Sequence, residues 1–103
     1  MKGLFQKLMG SGAATDYKSL LNQGATILDV RTVDEFQSGH IKGSKNIPLD
    51  QINNKLAELK KTGNPVITVC QSGGRSSMAK TILSNAGVEA YNGGGWSSFQ
   101  KKI

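Results

Sequence analysis

The segment VITVCQSGGRSSMAKTIL, residues 66–83, decides which fold and which chemistry the sequence allows. A run of apolar and β-branched residues ends at Cys70, the only cysteine of the chain. Two glycines and Arg75 follow, and then a stretch typical of a helix begins. An unbroken β-branched run favours a strand that is covered on both faces, as strands of parallel sheets are. The segment therefore predicts a buried strand, a short glycine-containing loop and a helix.

The loop QSGG, residues 71–74, connects the predicted strand to a helix expected from about Ser76 to Asn85. Adjacent glycines free the backbone to turn its NH groups inward and to form an anion-binding nest. The N-terminus of the helix adds a partial positive charge beside the same loop. An anion attached to Cys70 would therefore meet favourable electrostatics on two sides.

A reactive thiolate at Cys70 needs more than a helix end. An ordinary thiol has a pKa of about 8.5, and a useful nucleophile requires roughly 2 to 3 kcal/mol of thiolate stabilisation, whereas a helix terminus supplies about 0.3 to 1 kcal/mol. The remainder would come from inward backbone amides, from Arg75 and from serine hydroxyls. The candidate hydroxyls are those of Ser72, Ser76 and Ser77. We expect a preformed cradle that stabilises an anionic sulfur on Cys70.

Helix and strand patterns alternate along the rest of the chain, separated by glycines. Such alternation with brief connections predicts an α/β domain, built on a central parallel sheet of four or five strands with helices on both faces. The number of strands stays open because no clear opening strand precedes the first helix. The predicted elements are helices in 15–24, 32–39 and 50–63, strands at 26–30, 45–48 and 88–91, and a short C-terminal helix after NGGGW. Thr32 and Glu35 stand at capping-box spacing, which accounts for Glu35.

Ligands of parallel sheets bind beyond the carboxyl ends of the strands. Three predicted segments converge on that edge, namely Asp29–Arg31, Cys70–Arg75 and Gly93–Trp96. Asp29 could bond the loop amides or pair with an arginine, so a supporting role behind the loop is favoured over direct chemistry. His40, the only histidine, could form a cysteine–histidine dyad with Cys70.

The motifs at this edge resemble those of rhodanese-like domains. ILDVRTVDEFQSGHIKGSKNIP looks like their D-V-R, E-F, G-H-I-x-G and N-I-P signature, CQSGGRS resembles their C-x-x-G-x-R loop, and GGW at 94–96 resembles their C-terminal motif. The match spans roughly residues 16–99, in order. The resemblance implies sulfur transfer through a persulfide on Cys70, with sulfur passing from thiosulfate or a similar donor to cyanide or a thiol.

The same resemblance assigns roles within the site. Cys70 is expected to be catalytic, with substrate bound by the loop and supporting contacts behind it. The family motif places His40 in the G-H-I turn, so hydrogen bonds within that turn are expected in place of a dyad with Cys70. The expected substrate-binding residues are Gln71, Ser72, Gly73, Gly74, Arg75 and Ser76, and the expected supporting residues are Asp29, Arg31 and Trp96. No bound cofactor and no metal are expected, because one cysteine and one histidine provide too few of the customary zinc ligands.

Two alternative functions would also use Cys70. One is a persulfide carrier or regulatory module that acts with a protein partner. The other is a cysteine phosphatase or arsenate reductase, but these enzymes use C-x5-R, and only four residues lie between Cys70 and Arg75. A loop one residue shorter loses up to about 3.5 Å of contour. The smaller cradle favours a single extra sulfur over a tetrahedral phosphoryl group.

Length and composition bear on the number of domains, the location of the protein and the kind of ligand it binds. The chain of 103 residues predicts one domain at 14–103, preceded by an N-terminal extension, 1–13, that is either flexible or a short helix. No segment approaches the roughly 20 apolar residues of a membrane span, and Lys7 interrupts any secretory segment, so a soluble cytoplasmic protein is expected. The net charge of +6 comes mainly from scattered lysines, which favour small anions over nucleic acid.

Overall fold

Four parallel strands and five α-helices form residues 15–103, the part of the chain that the computed structural model describes. The predicted extension, residues 1–13, lies outside this part. The strands are β1 (Thr26–Asp29), β2 (Lys45–Asn46), β3 (Val66–Cys70) and β4 (Ala90–Gly95). The helices are α1 (Tyr17–Asn22), α2 (Val33–Gln37), α3 (Ile52–Thr62), α4 (Gly74–Asn85) and α5 (Trp96–Gln100), with a 3-10 turn at Leu49–Gln51 before α3.

The strand order is β2-β1-β3-β4, and every neighbouring pair is parallel. This confirms the predicted α/β sheet. Within residues 15–103 no strand precedes α1, so the described sheet has four strands rather than five. None of the helices in this range is long and apolar enough to cross a bilayer.

Two apolar clusters cover the two faces of the sheet. Residues from α3 and α4 pack on one face, and residues from α1 and α5 pack on the other. The alternation along β3 divides its side chains between them: Val66 and Cys70 join the first cluster, and Ile67 and Val69 join the second. The side chain of Cys70 is therefore directed toward the face that carries α4.

Capping residues define one end of each of α1, α2 and α3, and they include the predicted capping box. The Asp16 carboxylate accepts a hydrogen bond from Ser19 N and caps α1, and the reciprocal Thr32–Glu35 capping box starts α2. Gly63 adopts a left-handed conformation after α3.

Two boundaries near the loop differ from the sequence prediction. Helix α4 begins at Gly74 rather than near Ser76, because Gly73, with φ of 108°, makes the turn in one residue. Arg75 therefore lies in the first helical turn and not in the loop. Strand β4 begins at Ala90 rather than at Val88, and continues through the glycines to Gly95.

The glycines of β4 allow a close approach to β3. Thr68 pairs with Asn92 and Val69 pairs with Gly94, so Gly93 is the extra residue of a β-bulge. A Cβ atom on Gly93 would lie 3.0 Å from Ile67 Cγ2, Thr68 O and Val69 Cγ1. The bulge therefore requires a residue without a side chain at position 93.

Gly93→Ala is expected to destabilise the protein by about 1 to 3 kcal/mol, because the added methyl group overlaps the backbone and side chains of β3. Urea unfolding at neutral pH measures this change. Gly74→Ala is the matched control, since a Cβ there meets nothing within 4 Å. It should be neutral or slightly stabilising. Equal stability of the two variants would contradict the close approach.

Candidate active site

Cys70 ends β3 beside the glycine-rich end of β4, at the predicted edge of the sheet. Cys70 is in register with Gly95, whose hypothetical Cβ would lie 3.0 Å from Gln71 O. The backbone of the loop after Cys70 thus lies directly against β4. The absence of a side chain at Gly95 allows this close contact between the loop and β4.

The Cys70 sulfur is buried, with 1% of the residue exposed, but polar groups surround it. Gly73 N donates a hydrogen bond to Sγ at 2.9 Å, and Ser76 Oγ lies 3.3 Å from Sγ. The thiol is therefore not enclosed by hydrocarbon alone, although its residue belongs to the core.

The pKa of Cys70 is lowered from its ordinary value, as the net result of effects that raise it and effects that lower it. Burial raises the pKa, because it removes water from the thiolate. Hydrogen bonds from the Ser76 hydroxyl and from the backbone NH groups of Ser76, Gly73 and Ser72 lower it, and together they outweigh burial. The loop thus provides donors of the kind that the sequence predicted for a cradle.

Ser76 connects the sulfur to a residue that the sequence analysis missed. Its side chain is fully buried, and Oγ lies 2.7 Å from Asn92 Oδ1 and 3.0 Å from Gly73 O. Asn92 lies in β4 directly before its three glycines, and this position is the one sequence signal that could have drawn attention to it.

Arg75 forms a bidentate ion pair with Glu35 from α2. The Nη1–Oε1 distance is 2.7 Å and the Nη2–Oε2 distance is 3.0 Å. The Arg75 guanidinium and the Thr32 backbone NH lower the pKa of Glu35 to about 2. The capping box is present as predicted, but it accounts for only part of the role of Glu35. Sequence reasoning missed the ion pair, which joins residues 40 positions apart.

Asp29 and Arg31 form a buried ion pair at the end of β1. Arg31 Nη2 lies 2.7 Å from Asp29 Oδ2, and both side chains are at most 2% exposed. The Arg31 guanidinium also donates to the carbonyl oxygens of Glu35 and Gly39, and it lies 4.8 Å from the ring centroid of Trp96. Asp29 thus pairs with an arginine, one of the two arrangements considered, and Arg31 anchors the segment that carries Glu35.

The remaining predicted residues lie around the loop or away from it. Gln71, Ser72 and Gly74 are exposed at the loop surface. His40 stacks on Phe36 at 3.7 Å between ring centroids, and its Nδ1 donates to the Phe36 carbonyl at 2.7 Å, the hydrogen bond within the turn that was expected.

Comparison with protein families identifies the family of the chain. The rhodanese-like domain family matches residues 13–102. The chain belongs to the rhodanese-like domain family.

Individual relatives agree with this assignment. The rhodanese-like chain is 41% identical over 81 residues to the uncharacterized protein YqhL of Bacillus subtilis, covering 77% of this chain and 64% of that protein. It is 37% identical over 94 residues to thiosulfate sulfurtransferase 18 of Arabidopsis thaliana, covering 77% and 69%. A rhodanese-like domain protein from Staphylococcus aureus has a similar structure, with a TM-score of 0.69, 31% identity and coverage of 82% and 83%.

The Glu35–Arg75 pair should make the stability of this rhodanese-like domain depend on acid pH. The folded pKa of Glu35, about 2, lies below the ordinary value of 4.5. The stabilisation from the ionised carboxylate is therefore present above pH 4.5 and is lost as the pH falls toward 2. Glu35→Gln is expected to lower stability at neutral pH and to flatten this acid dependence, as measured by urea unfolding across the pH range.

Glu58→Gln is the control for this measurement. Glu58 pairs with Lys45 at 3.4 Å, and both side chains are about half exposed. An exposed pair of this kind contributes little to stability, so the variant should keep the wild-type acid dependence. If Glu35→Gln also kept it, the ion pair would not contribute as described.

Proposed function

We propose that this protein is a sulfurtransferase that moves sulfane sulfur from thiosulfate or a similar donor to cyanide or a thiol, through a persulfide on Cys70. The observation that carries the proposal is the set of hydrogen-bond donors around the buried Cys70 sulfur. A lowered thiol pKa increases the fraction of thiolate, which is the nucleophilic form. Membership of the rhodanese-like family supports the same chemistry.

In the first half-reaction the Cys70 thiolate attacks the outer sulfur of the donor. A bond forms between Sγ and that sulfur, while the sulfur–sulfur bond of thiosulfate breaks and sulfite leaves with the electron pair. The enzyme then carries a persulfide, and the negative charge has moved to the terminal sulfur. The NH groups of Ser72, Gly73 and Ser76 would stabilise this charge.

In the second half-reaction a thiophilic acceptor attacks the terminal sulfur. With cyanide, a carbon–sulfur bond forms, the persulfide bond breaks, and Sγ leaves as the thiolate with thiocyanate as product. The free thiolate is then ready for another donor. This is a ping-pong cycle in which the same cradle stabilises an anion in each half.

Donor binding would depend on the exposed residues of the loop and on the positive charge nearby. Gln71 and Ser72 are uncharged and exposed, so they can meet a small donor without repelling an anion. Both terminal nitrogens of Arg75 contact Glu35. Arg75 would therefore attract the anionic donor by its positive charge and by those of its N–H groups that do not face Glu35.

We also propose a cytoplasmic location and no bound cofactor.

The position of Arg75 supports sulfur transfer over phosphoryl transfer. A phosphate-binding arginine offers a free fork of two NH donors to its ligand. Here the Nη1–Nη2 end of Arg75 is occupied by the Glu35 carboxylate, so only the side that carries Nε could offer a phosphate two NH donors. This arrangement adds to the short spacing between Cys70 and Arg75 as an argument against a phosphatase or an arsenate reductase.

Mixing the protein with thiosulfate should add one sulfur atom to Cys70, detected by intact mass spectrometry and reversed by cyanide. Cys70→Ser should form no adduct. Ser76→Ala should form it about tenfold more slowly, because loss of a hydrogen bond to an anionic group costs on the order of 1.5 kcal/mol.

Ser77→Ala is the matched control, because this neighbouring serine is exposed and the cradle acts through Ser76. It should react at the wild-type rate. Absence of any sulfur adduct in the wild-type protein would refute thiosulfate as the donor. Poor turnover with cyanide, combined with rapid sulfur exchange to a partner protein, would instead identify a persulfide carrier.

A further inference from the structure

A chain of polar contacts runs from the loop through Cys70 to Asn92 on β4. Gly73 N lies 2.9 Å from Sγ, Sγ lies 3.3 Å from Ser76 Oγ, and Oγ lies 2.7 Å from Asn92 Oδ1. The sulfur and the Ser76 hydroxyl are buried, whereas Asn92 is exposed. The chain therefore joins the reactive atom to a residue at the protein surface.

The direction of this chain follows from the chemistry of its groups. Gly94 N donates to Asn92 Oδ1 at 2.9 Å, so this atom is the amide oxygen and not the amide nitrogen, which cannot accept. The Ser76 hydroxyl has two carbonyl oxygens within reach, Asn92 Oδ1 at 2.7 Å and Gly73 O at 3.0 Å, and neither carries a proton. Gly73 O already accepts from Ser77 N at 3.0 Å, so the hydroxyl donates along the shorter contact, to Asn92. The hydroxyl has one proton, and the Cys70 thiol consequently donates its own to Ser76 Oγ.

Ionisation of Cys70 makes this arrangement unfavourable. A thiolate has no proton to donate, so lone pairs of Sγ and Oγ would face each other across 3.3 Å. Rotation of the Ser76 hydroxyl proton toward sulfur removes the conflict without moving any heavy atom. The same rotation gives up the hydrogen bond to Asn92. Asn92 and the thiolate therefore compete for a single proton.

We propose that Asn92 is a positioning residue that holds the Ser76 hydroxyl proton while Cys70 is a thiol or a persulfide, and releases it when Sγ becomes an anion. In the persulfide the charge lies on the terminal sulfur, so Sγ no longer needs the Ser76 proton. Only this statement about the persulfide rests on the proposed function. Competition in the thiol state is a property of the protein without any donor.

Charged groups lie close to this network and must stay unchanged in a test. Arg75 on α4 is held by Glu35 from α2, and the Asp29–Arg31 pair lies at the end of β1. Substitutions at position 92 leave all four residues in place. A change in the titration of Cys70 would therefore report on Asn92 itself.

Asn92→Ala is expected to lower the pKa of Cys70 by about half to one pH unit, the size that one neutral hydrogen bond supports. The measurement is the ultraviolet absorbance of the thiolate as a function of pH, without a sulfur donor. Subtraction of the Cys70→Ser signal removes the contribution of the tyrosines. Since Cys70 is the only cysteine, the difference belongs to one group.

The decisive control repeats the substitution in a Ser76→Ala background. There Asn92→Ala should leave the pKa of Cys70 unchanged, because no hydroxyl proton remains to be shared. A purely structural role for Asn92, such as holding the Gly94 amide, would give the same effect in both backgrounds. An unchanged titration in the folded Asn92→Ala protein, or equal shifts in both backgrounds, overturns the proposal.

Asn92→Asp decides the question if Asn92→Ala does not fold. The aspartate keeps an acceptor for both Gly94 and Ser76, so the end of β4 is preserved. It should raise the pKa of Cys70, and the rise should be smaller in the Ser76→Ala background, where only the added charge acts. Equal rises in the two backgrounds overturn the proposal. These titrations involve no sulfur transfer, so their failure is distinct from failure of the proposed function.

Discussion

The hydrogen bonds that converge on the Cys70 sulfur replace the water that burial removes. A buried thiol ordinarily resists ionisation, because a thiolate is poorly solvated in an apolar interior. In this protein Gly73 N and the Ser76 side chain contact the sulfur directly, and the pKa is lowered despite burial. The site depends on keeping these donors in place around one atom.

The surrounding structure holds the loop by close backbone contact. The bulge at Gly93 and the approach of Gly95 to Gln71 bring the end of β4 against β3 and the loop. A side chain at position 95 would push the loop away from β4, and one at position 93 would push β4 away from β3. The glycines of β4 therefore contribute to the chemistry at Cys70 without touching the sulfur.

Two ion pairs hold together the segments around the site. Arg75, in the first turn of α4, pairs with Glu35 of α2, and Arg31 anchors the carbonyl groups of Glu35 and Gly39 while pairing with Asp29. Helix α2 is thus attached both to the active-site helix and to β1. Removing one member of the buried pair would leave an uncompensated charge inside the protein.

The sequence by itself determined the order of elements, the parallel α/β architecture and the position of Cys70 at the end of a buried strand, because periodicity, glycines and capping residues are local signals. It also identified Ser76 and the glycine loop. Tertiary structure alone decided that Glu35 meets Arg75 and that Asn92 meets Ser76, since these contacts join residues 40 and 16 positions apart. Local sequence patterns do not show which distant residues come into contact. The capping box also provided a sufficient reason for a glutamate at position 35. The start of α4 at Gly74 was likewise decided by the left-handed backbone of Gly73, a conformation that glycine permits but does not require.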